Sequence, residues 1–261
     1  TAAVVAGMFA ATAFRKHAIT ASVAAVGVLA AFVSLFAIPA APSRAATSLL
    51  VLDNLALFYF GLLLVGSLLI TGMAYGYFCK KTERPDEFYV LMLMAVLGSS
   101  ILVAATHFAS FILGLEILTV SLYAMIAYTR DARNGVEAGI KYLILAAGSA
   151  AFLLFGMALA YAETGSMQFA AFAEVDAASP LIMLALALMV VGIGFKLALF
   201  PFHMWTPDVY QGAPAPAAAF IASVSKGGVF VILLRFFGYM DVHNRPTLMW
   251  AFVAIAVASM F

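Results

Sequence analysis

Long apolar runs, most of them close to twenty residues, constrain this chain more than any other feature. A run of that length is what an α-helix needs to cross about 30 Å of hydrocarbon. Hydrophobic residues make up 66% of the 261 residues and charged residues only 10%, whereas a soluble domain usually carries about 25% charged residues. One globular core cannot hide so much apolar surface, so the sequence predicts a protein that lies in lipid.

The apolar runs predict nine helical spans. The first, residues 1–14, is too short to cross a bilayer, and the ninth begins near Thr247 and stops inside an apolar run at Phe261. The seven between them are predicted at about Ala18–Ile38, Leu55–Phe78, Phe88–Ala105, His107–Tyr128, Val136–Tyr161, Pro180–Phe200 and Ala215–Tyr239. None shows the two-residue alternation of a barrel strand. We therefore expect an all-α polytopic transmembrane helix bundle, and we expect the chain to be a fragment of a longer protein.

Basic residues in the loops predict the orientation of the helices, because cytoplasmic loops are enriched in lysine and arginine. The loops after spans two, four and six hold only Arg44. Those after spans one, three and five hold seven basic residues: Arg15, Lys16, Lys80, Lys81, Arg84, Arg130 and Arg133. The second set is expected to face the cytoplasm, which places the N-terminus outside. Arg235 and Arg245, around the loop after span eight, fit this orientation less well.

Four charged residues lie inside predicted spans, where a charge at the bilayer midplane costs about 2.5–3.5 kcal/mol or more. They are Glu116 in the fifth span, Lys141 about one turn inside the sixth, Lys196 towards the end of the seventh, and Lys226 in the eighth. Lys226 is eleven residues into its span, which places it about 16 Å deep. Two structural readings stay open: Lys141 could extend to the headgroups, and ion pairs could offset the other charges.

The functional reading of these charges is a proton relay. A buried lysine holds its proton more tightly beside a carboxylate and less tightly when the carboxylate withdraws. Glu116 is the only acid in the middle of a predicted span. Its expected partner is therefore Lys196 or Lys141.

The stretch "FPFHMWTP" predicts a break in the seventh helix around Phe200–Trp205, because Pro201 and Pro207 disfavour a continuous helix. Irregular backbone at membrane depth is tolerated only where it is buried in protein or lines a water-filled cavity. His203 titrates near neutrality when unperturbed, so it is a candidate relay residue or a fixed hydrogen-bonding residue. Asp208 is predicted to cap a short helix.

Two further polar residues are predicted to have no relay function. Glu137 stands three residues after Asn134, which is the spacing of a capping box at the start of the sixth span. His107 has no partner that the sequence identifies. Both are therefore left outside the predicted relay.

Motifs for cofactors, metals and nucleic acids are missing from the sequence. The single cysteine, Cys79, excludes a disulfide framework and an iron–sulfur cluster built by this chain alone. No Walker loop, G-x-G-x-x-G or H-E-x-x-H motif occurs. The net charge of +1 and the lack of a basic stripe argue against a nucleic-acid partner. We expect no cofactor or metal to be bound by this chain.

Several segments resemble one family of membrane proteins. "GFKLALFPFHMWTPDVYQGAPAP" followed by "SVSKGGVF" closely resembles the signature of the antiporter-like subunits of proton-pumping NADH:quinone oxidoreductase (respiratory complex I). "EFYVLMLMAVLG", "LGLEIL" and "EAGIKYLILAAGSAAFLLFGMALAY" match in order and spacing. "WTPDVYQGAP" looks like the subunit N family rather than its two sister pump subunits. The wider family includes Mrp-type cation/proton antiporters, and the resemblance covers most of the chain from about Asp86 onward.

The resemblance implies specific roles for the intramembrane charges. Glu116 matches the family's acid on helix five, and Lys196 matches the lysine on helix seven that pairs with it. Lys226 matches the central lysine of helix eight, from which a proton moves on along a hydrated axis, and Lys141 matches a further lysine on helix six.

The resemblance also implies an architecture. Family members have about fourteen helices in two inverted five-helix repeats, with helices seven and twelve broken. The implied divisions are 1–85 for helices one to three, 86–240 for the first repeat (helices four to eight), and 241–261 for the start of helix nine. The sequence would then be a fragment of an inverted-repeat protein that lacks the charged residue of helix twelve.

The implied function is that of a non-redox subunit of a proton-translocating enzyme. Protons would move through the buried Glu/Lys residues, with His203 as a candidate relay, coupled to electron transfer in other subunits. Expected partners are lipid and the other membrane subunits of complex I, including the sister antiporter-like subunits. NADH, FMN, iron–sulfur clusters and quinone are expected in partner subunits. The alternative is a secondary cation/proton antiporter subunit of Mrp type. The expected location is the bacterial inner membrane, with the mitochondrial inner membrane as the alternative.

Overall fold

The computed structural model describes residues 2–13, 16–38, 44–80, 85–129, 133–173, 179–240 and 246–260. Helices and two short strands follow one another along these ranges. In chain order they are α1 (Ala2–Ala13), α2 (His17–Leu35), β1 (Arg44–Thr47), β2 (Leu50–Leu52), α3 (Asn54–Phe78), α4 (Asp86–Ala104), α5 (Phe108–Ile126), α6 (Arg133–Thr164), a 3₁₀ helix (Phe169–Ala173), α7 (Pro180–Leu197), α8 (Thr206–Gly212), α9 (Ala215–Phe220), a π-helix (Ile221–Ser225), α10 (Lys226–Tyr239) and α11 (Pro246–Ala258).

The predicted all-α membrane bundle is confirmed. Within the described ranges, seven helical stretches are long and apolar enough to cross a membrane: α2 to α7 and the run Ala215–Tyr239. They coincide with the seven central predicted spans. α1 and α11, with 12 and 13 residues, are shorter. The chain is an integral membrane protein.

In the apolar stretch of α4 that could span a membrane, 61% of the residues are buried, whereas the share is 22% in α2. α4 therefore lies at the centre of the bundle. Its closest neighbour is α5, and glycines make the approach close. A Cβ at Gly98 would lie 2.6 Å from the backbone nitrogen of Leu118 and 2.8 Å from the carbonyl oxygen of Gly114. Small residues at such a position let two backbones meet, which is how helices pack in lipid.

A short antiparallel hairpin, β1–β2, precedes α3 and was not predicted. Arg44 pairs with Leu52 and Ala45 with Val51. The hairpin turn is fastened to the start of α5, because the carbonyl oxygen of Leu49 accepts a hydrogen bond from the Ser110 hydroxyl at 2.8 Å. The hairpin therefore fixes the backbone immediately before α3.

Part of the stretch between α6 and α7 folds back onto the bundle. Phe169 and Phe172 in the 3₁₀ helix are fully buried. Their rings pack against Phe108 at 5.4 and 5.3 Å and against Phe236 at 5.2 and 5.4 Å. This aromatic cluster joins the start of α5 to the end of α10.

The predicted break after the seventh span is confirmed, and it begins earlier than expected. α7 ends at Leu197, and Ala198 adopts a left-handed conformation with φ 58°. The N–H of Leu199 bonds to the carbonyl oxygen of Gly194 at 2.8 Å, which is a helix ending of the Schellman type. Pro201 explains the position, because its ring would clash with the carbonyl group four residues earlier, at Leu197.

The eighth predicted span is one apolar run, but it is not one regular helix. The π-helix Ile221–Ser225 interrupts it immediately before Lys226. A π-turn has i→i+5 hydrogen bonds and occurs often at functional sites. Hydrophobicity alone does not distinguish it from an α-turn, so the sequence pattern missed it.

Two predictions about helix starts are corrected. Asn134 is already a helical residue of α6, so the predicted capping box does not form, and Glu137 instead pairs with Lys141 at 2.9 Å. His107 has a partner: as the N-cap of α5, its Nδ1 accepts a hydrogen bond from the backbone N–H of Ala109 at 3.0 Å.

The α4–α5 contact predicts that Gly98→Ala destabilises the protein by about 1–3 kcal/mol, because the added methyl group overpacks a backbone contact. Gly72→Ala is the matched control, since a Cβ at Gly72 on α3 meets nothing within 4 Å. Thermal unfolding of the purified protein in detergent should show a lower midpoint for Gly98→Ala only. Equal midpoints for the two variants would contradict the predicted contact.

Candidate functional site

Lys196 is buried, with 7% of its surface exposed, although its side chain ends in an ionisable amino group. Its Nζ donates a hydrogen bond to the Thr119 hydroxyl at 2.6 Å. The Thr119 hydroxyl in turn donates to the carbonyl oxygen of Leu115 at 2.6 Å. The end of α7 thus places Lys196 against the Thr119 hydroxyl of α5.

Glu116 lies one turn before Thr119 on α5 and is half-buried. Its carboxyl group is close enough to interact electrostatically with Lys196 and with the Tyr142 hydroxyl. The ion pairs found between described residues do not include Glu116. Glu116 and Lys196 therefore share one electrostatic environment, and Thr119 accepts the direct hydrogen bond from the lysine.

Aromatic rings enclose the Lys196 ammonium group. Nζ lies 5.5 Å from the ring centroid of Tyr142 and 5.8 Å from that of Phe195. Trp205 packs against both rings, at 5.2 and 5.4 Å. Its indole N–H donates to the carbonyl oxygen of Phe195 at 2.9 Å. This hydrogen bond and the ring contacts hold Trp205, at the C-terminal end of the helix break, close to Lys196.

The break itself presents two buried polar atoms. Nδ1 of His203 and Oγ1 of Thr206 have no hydrogen-bond partner in the described part of the chain. The His203 ring stacks on Phe200 at 5.9 Å. Buried polar groups are normally satisfied by protein or by water, so these two atoms are suited to bind water along the break.

Lys226 is half-buried and is the first residue of α10, directly after the π-helix. Its Nζ lies 5.9 Å from the ring centroid of Tyr210 in α8. No hydrogen bond or ion pair joins it to another described residue. The structure therefore places Lys226 opposite the segment that follows the break, and does not bond it to Glu116 or Lys196.

Lys141 lies apart from these residues and is not buried in this chain. Its side chain is 47% exposed and pairs with both Glu137 and Asp208 at 2.9 Å. Asp208 was predicted to be a helix cap, but it binds Lys141 instead, and the N-cap residue of α8 is Trp205. This ion-pair cluster borders a cavity of about 150 Å³ lined by Asn134, Glu137, Ala138, Lys141, Asp208, Gln211 and Gly212.

The sequence interpretation missed two functional candidates. Thr119 could have been found, because it stands three residues after Glu116 on the same helix face. Arg235 was assigned to a loop flank, but it lies inside α10 with 7% of its surface exposed. Its two Nη atoms donate to the carboxylate of Asp53 at 2.7 and 2.9 Å. Asp53 directly before an apolar run is an N-cap signal, and it does cap α3.

Asp53 lies outside the membrane-spanning segments, at the start of α3. Burial alone would raise its pKa, but hydrogen bonds from Arg235 and from the backbone N–H of Ala56 outweigh burial. The pKa of Asp53 is therefore below its ordinary value of 3.8. The carboxylate stays ionised, and paired, at neutral pH.

A metal site is not apparent in the described residues, since no group of three or more His, Cys, Asp or Glu side chains could hold an ion.

Comparisons with known proteins show the family to which this fold belongs. The family model described as "NADH:quinone oxidoreductase/Mrp antiporter, TM" matches residues 105–261, which is more than half of the chain. The matched region includes α5 and α7, which carry Glu116 and Lys196, together with the break and Lys226. The chain belongs to this family of antiporter-like transmembrane proteins.

Individual proteins within and around this family are similar to the chain. The chain is 47% identical over 238 residues to NADH-quinone oxidoreductase subunit N of Nitrosospira multiformis, which covers 89% of this chain and 47% of that protein. A chain of respiratory complex I from Thermus thermophilus is 35% identical, with a TM-score of 0.78, over 90% of this chain and 51% of that one. A chain of the Mrp complex from Dietzia sp. DQ12-45-1b shares the fold, with a TM-score of 0.83 at 18% identity over 100% of this chain and 51% of its own length. The chain thus spans about half the length of these relatives.

The Lys196–Thr119 contact predicts that Thr119→Val lowers the free energy of unfolding by about 1–3 kcal/mol, because a buried charged donor loses its acceptor. Thr119→Ser keeps the hydroxyl and should retain most of the stability. Thermal unfolding in detergent measures both variants. Equal stability of Thr119→Val and the wild type would show that Lys196 does not depend on this hydroxyl.

The lowered pKa of Asp53 predicts a pH-dependent stability difference between the wild type and Asp53→Asn. A carboxylate with a lowered folded-state pKa contributes stability above its unfolded pKa, and this is lost as pH falls through the folded value. The wild type should be the more stable protein at neutral pH. The gap between the two melting midpoints should shrink only as the pH falls below about 3.8. A gap that is constant with pH would contradict the assignment.

Proposed function

We propose that this chain is part of a subunit-N-type membrane subunit of NADH:quinone oxidoreductase that translocates protons and performs no redox chemistry itself. The observation that carries the proposal is a buried lysine, Lys196, set beside Glu116 on one side and a broken helix on the other. Ionisable residues inside membrane spans are costly, and they mark ion and proton paths. The 47% identical relative that bears the name of this subunit supports the same assignment.

The proposed mechanism alternates the protonation of two lysines. An ionised Glu116 favours the protonated form of Lys196, and a change in the charge or position of Glu116 favours release of that proton. The Thr119 hydroxyl holds the ammonium group in place while it is charged. The released proton would cross the break, where His203 and Thr206 can order water, and reach Lys226.

Lys141 has a separate part in this proposal. Its pairing with Glu137 and Asp208 keeps a charged cluster at the surface, next to the start of α8. We propose that this cluster supplies protons to the break from one side of the membrane. Residues 86–240 would act as one antiporter-like repeat.

Energy would come from electron transfer in other subunits. NADH, FMN, iron–sulfur clusters and quinone would bind there, and other membrane subunits, including sister antiporter-like subunits, would be the direct partners. The bacterial inner membrane is the proposed location, supported by the bacterial relatives. Exposed Lys16 and Lys80 would lie on its cytoplasmic side.

A second candidate function is cation/proton exchange of the Mrp type. The family model covers both classes, and the Mrp complex chain shares the fold over the whole of this chain. An antiporter would generate a pH gradient that depends on added cation and not on NADH.

The proposed function predicts that Lys226→Ala or Lys196→Ala lowers NADH-driven proton pumping at least about tenfold, since a positioned proton-transfer group contributes about 10²–10⁴-fold. Pumping and NADH oxidation are measured in membranes that carry the full-length subunit, with assembly of the complex verified. Lys80→Ala is the matched control, because Lys80 is exposed beyond the end of α3. Normal pumping by an assembled Lys226→Ala complex would remove Lys226 from the proton path.

A further inference from the structure

The pair formed by Asp53 and Arg235 joins three helices at one point. Arg235 of α10 donates to Asp53 through both Nη atoms, and its Nη2 also donates to the carbonyl oxygen of Val103 at 3.1 Å. Asp53 in turn accepts from the backbone N–H of Ala56 at 2.8 Å. One side chain of α10 is thus bonded to the start of α3 and to the last turn of α4.

The polarity of the pair is fixed by the helix ends beside it. Asp53 lies at the N-terminus of α3, where the helix dipole favours a negative charge. Arg235 lies against a carbonyl in the last turn of α4, where the dipole favours a positive charge. An exchange of the two charges would oppose both dipoles.

The same face of α10 touches α4 twice. A Cβ at Gly228 would lie 3.1 Å from the Cβ of Ser99. Arg235, seven residues later and on the same helix face, reaches Val103, which is one turn after Ser99. α10 therefore rests on α4 along a continuous stripe.

Lys226 projects away from this stripe. Nine residues separate it from Arg235, which at 1.5 Å and about 100° per residue places the two side chains about 13 Å apart along the axis and on opposite faces. Lys226 correspondingly faces Tyr210 of α8. The rotation of α10 that seats Arg235 is the rotation that points Lys226 at the segment after the break.

Stability alone is a weak reason for this pair. A buried ion pair is often no more stabilising than apolar residues of similar size. Arg235 also keeps a buried Nε without a partner among the described residues. The π-helix before Lys226 interrupts the regular hydrogen-bond pattern at the other end of α10, whereas the Asp53–Arg235 pair is a directional contact that ties α10 to α3 and α4.

We propose that Asp53 and Arg235 are positioning residues for Lys226: their ion pair sets the rotation and depth of α10, so that the ammonium group faces Tyr210 and the helix break. The functional part of this inference rests on the proposed proton translocation. The structural part concerns only where position 226 points.

The test separates positioning from folding by comparing a single variant with a neutral double variant. Arg235→Met leaves the half-buried Asp53 carboxylate without its ion-pair partner, so assembly of the complex should fall. Asp53→Asn/Arg235→Met removes both charges and keeps an N-cap residue, so assembly should recover. Proton pumping per NADH oxidised should nevertheless stay at least twofold below that of the wild type. Arg235→Lys, which keeps the charge but not the two-pronged contact, should be intermediate.

A second readout does not depend on pumping. In full-length subunits with Cys79→Ser and Lys226→Cys, a charged methanethiosulfonate reagent labels position 226 at a rate set by its surroundings. Adding the neutral double variant should change this rate at least threefold. Glu163→Gln is the matched control, because it also turns a carboxylate that accepts an interhelical hydrogen bond into an amide, but at an exposed site away from α10.

The outcomes are distinct. Pumping that recovers together with assembly in the neutral double variant, or an unchanged labelling rate, would overturn the positioning role. A labelling rate that depends on the pair, together with full pumping by Lys226→Ala, would retain the positioning role and refute the proposed path through Lys226. Rescue by the charge-exchanged Asp53→Arg/Arg235→Asp protein would contradict the fixed polarity.

Discussion

Holding the Lys196 ammonium group away from bulk water is the constraint on which the rest of the site depends. The Thr119 hydroxyl accepts a hydrogen bond from Nζ, the Glu116 carboxyl group lies close enough to interact with it electrostatically, and the rings of Tyr142 and Phe195 lie beside it. These groups come from α5, α6 and α7, and the helix ending after Leu197 sets where Lys196 lies against α5.

Each of the two lysines, Lys196 and Lys226, lies next to an interruption of regular helix. The break after α7 ends the helix one residue beyond Lys196, and the π-helix ends where Lys226 begins. In a bilayer, irregular backbone has to be satisfied within the protein; the break packs Trp205 against Tyr142 of α6, and the π-helix packs on α3 and α4. The irregular backbone and the intramembrane lysines therefore lie in the same places in the bundle.

Sequence patterns predicted the helices and the break well, because hydrophobic length and proline act locally. They also identified Glu116, Lys196 and Lys226 as charges inside spans. They did not identify the partners, because those contacts join distant parts of the chain: Thr119 is 77 residues from Lys196, and Asp53 is 182 residues from Arg235. The capping role given to Asp208 was wrong for the same reason, since a lysine on another helix competes for its carboxylate.

Trp205 can also report, through its fluorescence, on the surroundings of the break. The chain has two tryptophans, and the other, Trp250 on α11, is 64% exposed. Trp205 is 4% exposed, with its indole N–H already bonded to Phe195. Because the emission colour of an indole shifts with the polarity around it, a chain in which Trp250 is replaced by phenylalanine carries a single tryptophan, at the broken helix. The molecule thus contains its own optical reporter of the polarity around that segment.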